Sequence, residues 1–105
     1  GNDASVSASS PVRLLQARLP SAFDQQDAAK VVDVFLGLLF PGEGAANLNL
    51  YRTAAVNFLN TADDGVTASP FSVLTVGITP GGNTYDTRVR GMVALLMTMQ
   101  RFQEQ

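Results

Sequence analysis

The last eighteen residues constrain the fold most. They read Arg88-Val-Arg-Gly-Met-Val-Ala-Leu-Leu-Met-Thr-Met-Gln-Arg-Phe-Gln-Glu-Gln, an almost wholly apolar centre from Gly91 to Met99 between arginine-bearing ends. A helix apolar on most of its sides is stable in water only when other protein surrounds it. It predicts a helical domain built around its C-terminal element, with Leu96 in the core. Val89, Met92, Val93, Leu96 and Met99 form one stripe, and Ala94, Leu95 and Met97 fill much of the rest. This helix is expected to start between Thr84 and Asp86 and to run to about Gln100.

The remaining helices follow from local signals. Ser10-Pro11 reads as an N-cap followed by proline at the first helical position. Val12, Leu15 and Leu19 recur at helical spacing, Arg13 and Arg18 face outward, and Pro20 stops the helix. In the second helix Asp24 is the expected cap, with Asp27 favourably placed for the dipole. Ala28, Val31, Val32, Phe35, Leu36 and Leu39 then follow the amphipathic template, and Pro41-Gly42-Glu43-Gly44 breaks it. A third helix is expected from about Asn49 to Ala62, with Asn47 or Asn49 as cap. Tyr51, Ala54, Ala55, Phe58 and Leu59 make its apolar stripe, and Arg52 and Asn57 point outward. Residues 65–83 read as an extended loop that lays Phe71, Leu74 and Ile78 on the helices, since a lone strand would have nothing to pair with. Pro80-Gly81-Gly82-Asn83 reads as a turn. The fold class is all-α, a small four-helix bundle with one long apolar loop at 65–83.

Length and composition set the frame for function. A chain of 105 residues is one domain. Residues 1–9 read as a disordered leader and 10–105 as a single helical domain. The Ser/Ala-rich leader is of the kind that follows a removed export signal or joins two domains. That predicts an exported protein (periplasmic, cell-surface or secreted) or a segment joined to another domain.

Apolar residues make up 46% and charged residues only 15%, below the usual quarter. This suggests that some apolar surface meets a partner. Cysteine and histidine are both absent. The commonest general base, the Ser-His and Cys-His relays and the commonest transition-metal ligands are therefore missing. Seven scattered basic residues against nine acidic ones give no footprint for nucleic acid. No apolar run approaches the roughly 18–20 residues that span a bilayer.

Several motifs invite chemistry and fail its spacing. Counted from Asn60, an EF-hand would put ligands where Ala62 and Phe71 stand, so Asp63-Asp64-Gly65 reads as a helix-ending turn. The Pro80-Gly81-Gly82-Asn83 turn lacks the lysine of a phosphate loop. Asp24, Asp27 and Asp33 read as a capped, solvated helix face. Met92, Met97 and Met99 read as core rather than as an adaptable binding face. No catalytic, cofactor-binding or metal-binding residue emerges. Arg88 and Arg90 open the last helix at the end its dipole disfavours for cations. They read as ion-pair partners of Asp86, Asp33 or Asp27, or else as docking contacts to an acidic group or a sibling domain. With Arg101 and Phe102 they are the candidate partner contacts.

The tail also resembles the C-terminal end of the bacterial domain-of-unknown-function family 1800, where an arginine-led apolar helix ends in a Ser-Pro-Glu-Phe-Gln-like signature. Phe102-Gln103 keeps that signature, and Met99-Gln100-Arg101 departs from it. Val31-Val-Asp-Val-Phe-Leu-Gly-Leu-Leu-Phe-Pro-Gly and Leu50-Tyr-Arg-Thr-Ala-Ala-Val-Asn-Phe-Leu-Asn resemble the helices that precede it in that family. The resemblance implies the C-terminal piece of a larger exported bacterial protein and brings no established activity, cofactor or catalytic residue. The expectation is thus a non-catalytic helical structural or interaction domain. Its partners would be other domains of the parent protein or a protein partner, with self-association also open. The alternative is part of an enzyme completed by a missing N-terminal domain, with Asp86, Arg88 and Arg90 as substrate contacts.

Overall fold

A computed structural model of the chain describes residues 10–78 and 83–103. The expected leader at 1–9 and most of the Pro80–Asn83 turn lie outside the described residues. Among the described residues five α-helices follow one another: α1 Pro11–Arg18, α2 Ala22–Gln25, α3 Ala28–Leu39, α4 Ala45–Leu59 and α5 Thr84–Gln103, with a single 3-10 turn at Phe71–Val73 between the last two. The described residues contain no strand, only one isolated antiparallel bridge between Thr61 and Ala68. The all-α expectation is met, with one short helix more than the sequence suggested.

Helix α1 forms as its signals dictate. The Ser10 hydroxyl accepts from the Val12 amide at 3.1 Å, and Pro11 occupies the first helical position. The second predicted helix is two. Ser21, not Asp24, caps α2 by accepting from the Phe23 amide, and Asp27 caps α3 by accepting from the Lys30 amide at 3.2 Å. Asp27 stands in extended conformation (φ −91°, ψ 107°), so no helix can run through it. Asp24 instead pairs with Lys30 at 2.9 Å.

Helix α4 begins earlier than expected. Gly44 is its N-cap, without a side-chain cap bond. Ala45 and Ala46, the strongest helix formers, extend it ahead of Asn47 and Asn49. The amide of Asn47 reaches back to Glu43, and the Asn49 Oδ1 accepts from Arg52. The helix also ends earlier, at Leu59, because Asn60 turns its carboxamide oxygen to the Phe71 amide at 2.9 Å. Its stripe buries Tyr51, Ala55 and Leu59, while Ala54 is half-buried and Phe58 is 39% exposed.

Helix α5 packs against α1, α3 and α4. Tyr85, Val89, Met92 and Leu96 are completely buried, and Val93 nearly so. Ala94 and Thr98 face solvent, and Leu95, Met97 and Met99 are half-buried. The helix is therefore a spine with one wet edge, not a fully enclosed rod. From the other elements Val12, Leu15, Val31, Val32, Phe35, Leu36 and Phe71 complete one continuous core. The loop after α4 behaves as its composition predicts. Phe71 is completely buried and stacks on Tyr85 at 4.9 Å between ring centres, while Leu74 and Ile78 pack half-buried beside it.

Polar ties hold the spine in register. The buried Tyr85 hydroxyl donates to the Gln25 carbonyl at 2.5 Å, and the Gln25 amide donates to the Leu19 carbonyl at 2.7 Å. Farther along α5, Gln100 donates to the Leu39 carbonyl at 2.5 Å, satisfying the end of α3. Asn83 accepts from the Asp86 amide at 3.0 Å and so caps α5. No helix among the described residues is long and apolar enough to cross a membrane.

Candidate functional site

The four candidate contact residues do not converge. Arg88 and Arg90 sit on the first turns of α5, and Arg101 and Phe102 near its far end. Arg101 lies thirteen helical steps beyond Arg88, roughly 20 Å at 1.5 Å each. Arg101 is exposed, and Phe102 is 69% exposed. Arg90 is exposed and pairs with Asp86 at 3.0 Å, one turn earlier, as the ion-pair reading has it.

Arg88 departs from the ion-pair reading made of it. It is 5% exposed. None of its expected carboxylates holds it. Asp86 accepts from Ser10 and Arg90, Asp33 takes Arg52 at 2.7 Å, and Asp27 caps α3. Instead Nη1 donates to the Leu59 carbonyl at 3.1 Å and to the Ser69 carbonyl and hydroxyl at 3.0 Å each. Leu59 ends α4, where carbonyls lack helical partners and the dipole is negative. A cation from α5 thus closes α4 and anchors the returning loop to it.

That loop is itself ordered by one carboxylate. Asp64 accepts from the Val66 and Thr67 amides, both at 2.8 Å, and from the Thr67 hydroxyl. The Thr67 hydroxyl, then the two amides, hold the Asp64 carboxyl down at about pH 2, well below its ordinary 3.8. Ala62 and Ser69 close the turn with backbone bonds to Thr67 and Asn60. The turn delivers Ser69 to Arg88. The acidic pair Asp63-Asp64 is therefore structural at Asp64. Among the described residues no group of three or more carboxylates gathers as a metal site would.

Beside Arg88, α4, α5 and the turn enclose an open groove of ≈ 510 Å³. Ala54, Phe58, Gly91 and Leu95 form its apolar walls. Asn57 and Thr61 line it from α4 and the residues just after it, and Thr87 and Arg88 from the start of α5. The Phe58 ring is seated directly on Gly91: a Cβ there would lie 2.6 Å from Phe58 Cζ. Only glycine lets the ring approach α5 this closely. A glycine inside an otherwise apolar helix was the one trace of this groove in the sequence.

The electrostatics of the groove are unusual at one atom. The buried Nε of Arg88 has no hydrogen-bond acceptor, and no described carboxylate lies within ion-pairing distance of its guanidinium. Asp63, exposed on the groove rim, is the anion that lines it. The arrangement holds a cation in low dielectric beside an apolar wall, and it carries no nucleophile and base in mutual contact.

Comparison of the chain with protein-family models, with curated proteins and with solved structures finds no match.

Proposed function

We propose that this chain is a non-catalytic helical interaction domain, the C-terminal module of a larger exported bacterial protein, acting by packing its outer apolar residues on a neighbouring domain or protein partner. One observation carries this reading: large apolar side chains stand in water while the core is complete without them. Phe23 is 83% exposed, Val66 85%, Val73 74%, Phe102 69% and Leu50 67%. Single exposed apolar residues are ordinary, but this number on a small domain with few surface charges favours contact with other protein. The likeness of the tail to family 1800 supports the placement at the end of a larger protein. In the alternative, an enzyme completed by a missing domain, Asp86, Arg88 and Arg90 would contact substrate. Asp86 and Arg90 are paired with each other here and Asp86 also holds Ser10, which favours the structural reading.

Hydrogen exchange tests the proposal by comparing this domain alone with the same domain inside the parent protein. Slower exchange around Phe23, Val73 or Arg101–Phe102 in the parent is the expected result. Identical exchange throughout, with the isolated domain monomeric by light scattering, would overturn it.

A further inference from the structure

Arg88 is held by one of its three nitrogens. All the hydrogen bonds it makes to described residues leave from Nη1, and no described residue accepts from Nε or Nη2. The Nε–Nη2 edge is the side of a guanidinium on which a carboxylate docks with two parallel bonds. A buried Nε with neither counter-anion nor acceptor is costly, and an incoming carboxylate removes the cost. The edge belongs to a residue that lines the α4–α5 groove, next to an apolar wall.

We infer that this groove binds a small apolar monocarboxylate, its carboxylate on the Nε–Nη2 edge of Arg88 and its apolar body along Phe58 and Leu95. The volume of ≈ 510 Å³ lies in the range of small-molecule sites, roughly 300–1,000 Å³. Because Nε is sealed from solvent, the proposal requires a groove wall to move, and it assigns that motion to Phe58. Its ring rests on Gly91, one turn along α5 from Arg88, and its 39% exposure leaves it room to swing outward. Asp63 on the rim is solvated and screened. It weakens attraction of an anion from a distance without occupying the guanidinium. The inference does not depend on the outer apolar residues meeting a partner, so either can fail alone.

Octanoate is the probe, titrated into the isotope-labelled chain at neutral pH and followed by NMR. Octanol and octylamine serve as neutral and cationic matches. Saturable shifts are expected at the amides of Phe58, Gly91 and Leu95 and at the Arg88 Nε–H. The two matched probes should bind at least roughly tenfold more weakly, the value of a charge-assisted bond. Arg88→Lys should lose octanoate. Because Arg88 also closes α4, Asn57→Asp is the second variant: it places a carboxylate in the groove from an exposed position and should weaken octanoate by a similar factor while keeping a cooperative melt. Asp63→Asn should leave octanoate binding equal or tighter. The inference is overturned if the shifts fail to saturate or fall outside the groove. It is overturned equally if octanol matches octanoate, if Asn57→Asp binds like the parent, or if Asp63→Asn weakens binding.

Discussion

Replacing Leu96 with alanine should destabilise the domain by roughly 2–5 kcal/mol. Leu96 is completely buried on the face of α5 that packs between the other helices, beside Val89, Met92 and Val93. Removing a buried side chain of this size forfeits its transfer free energy, about 1.5–3 kcal/mol for full burial. The cavity left behind adds more, because helices on several sides cannot all collapse into it. Against a total stability of about 5–15 kcal/mol, the loss is large. At about 4–8 °C per kcal/mol for a domain near this size, the melting temperature should fall by at least about 8 °C. Arg101→Ala lies on the same helix and is the internal control. Arg101 is exposed and has no ion pair among the described residues, so its loss should cost no more than about 0.5 kcal/mol. Circular dichroism melts of both variants, with light scattering to establish the same oligomeric state, check the comparison. A Leu96→Ala variant melting within about 2 °C of the parent would refute the reasoning, since roughly 4 °C per kcal/mol is the smallest shift expected.

Other predictions follow from the polar ties. Arg88→Met should cost about 2–4 kcal/mol in a denaturant titration, because it strips charged hydrogen bonds from the Leu59 and Ser69 carbonyls at the end of α4. Burial pushes the Tyr85 hydroxyl up from 10.0 to about 12. The folded state therefore holds that proton more tightly than the unfolded one, and the resulting stability is full below pH 10 and lost as pH rises towards 12. Melting temperature should fall over that interval in the parent and less steeply in Tyr85→Phe. Asp64 has the opposite sign. Its folded carboxyl titrates near 2 against 3.8 unfolded, so its contribution is present above pH 4 and lost as pH falls towards 2. Asp64→Asn should flatten the acid side of the melting curve.

What the sequence made legible was local. Ser10 before Pro11, the apolar stripe of α3 and the periodicity through Leu96 all act within one or two turns, and each sits in the fold as its spacing implies. The misplaced boundaries arose where two local signals competed. Asn47 and Asn49 resemble caps, but Ala45 and Ala46 carry the helix past them. Asp24 resembles a cap, but Ser21 comes first and Asp27 breaks the path. The site was illegible for a different reason. Arg88 meets carbonyls 29 and 19 positions away, and the groove depends on Gly91 lying under Phe58. Neither pairing leaves a periodic trace, and the charge of Arg88 suggested carboxylates rather than the end of a helix.

Among the described residues, α5 is the spine on which α1, α3 and α4 pack. Native-state hydrogen exchange of the monomeric chain measures this directly, because the slowest amides mark the last structure to open. The amides from Val89 to Leu96 should exchange as slowly as global unfolding allows and more slowly than those of α1 and α2. If α5 instead exchanges faster than α3 and α4 while they remain protected, it is a docked appendage and the account is contradicted.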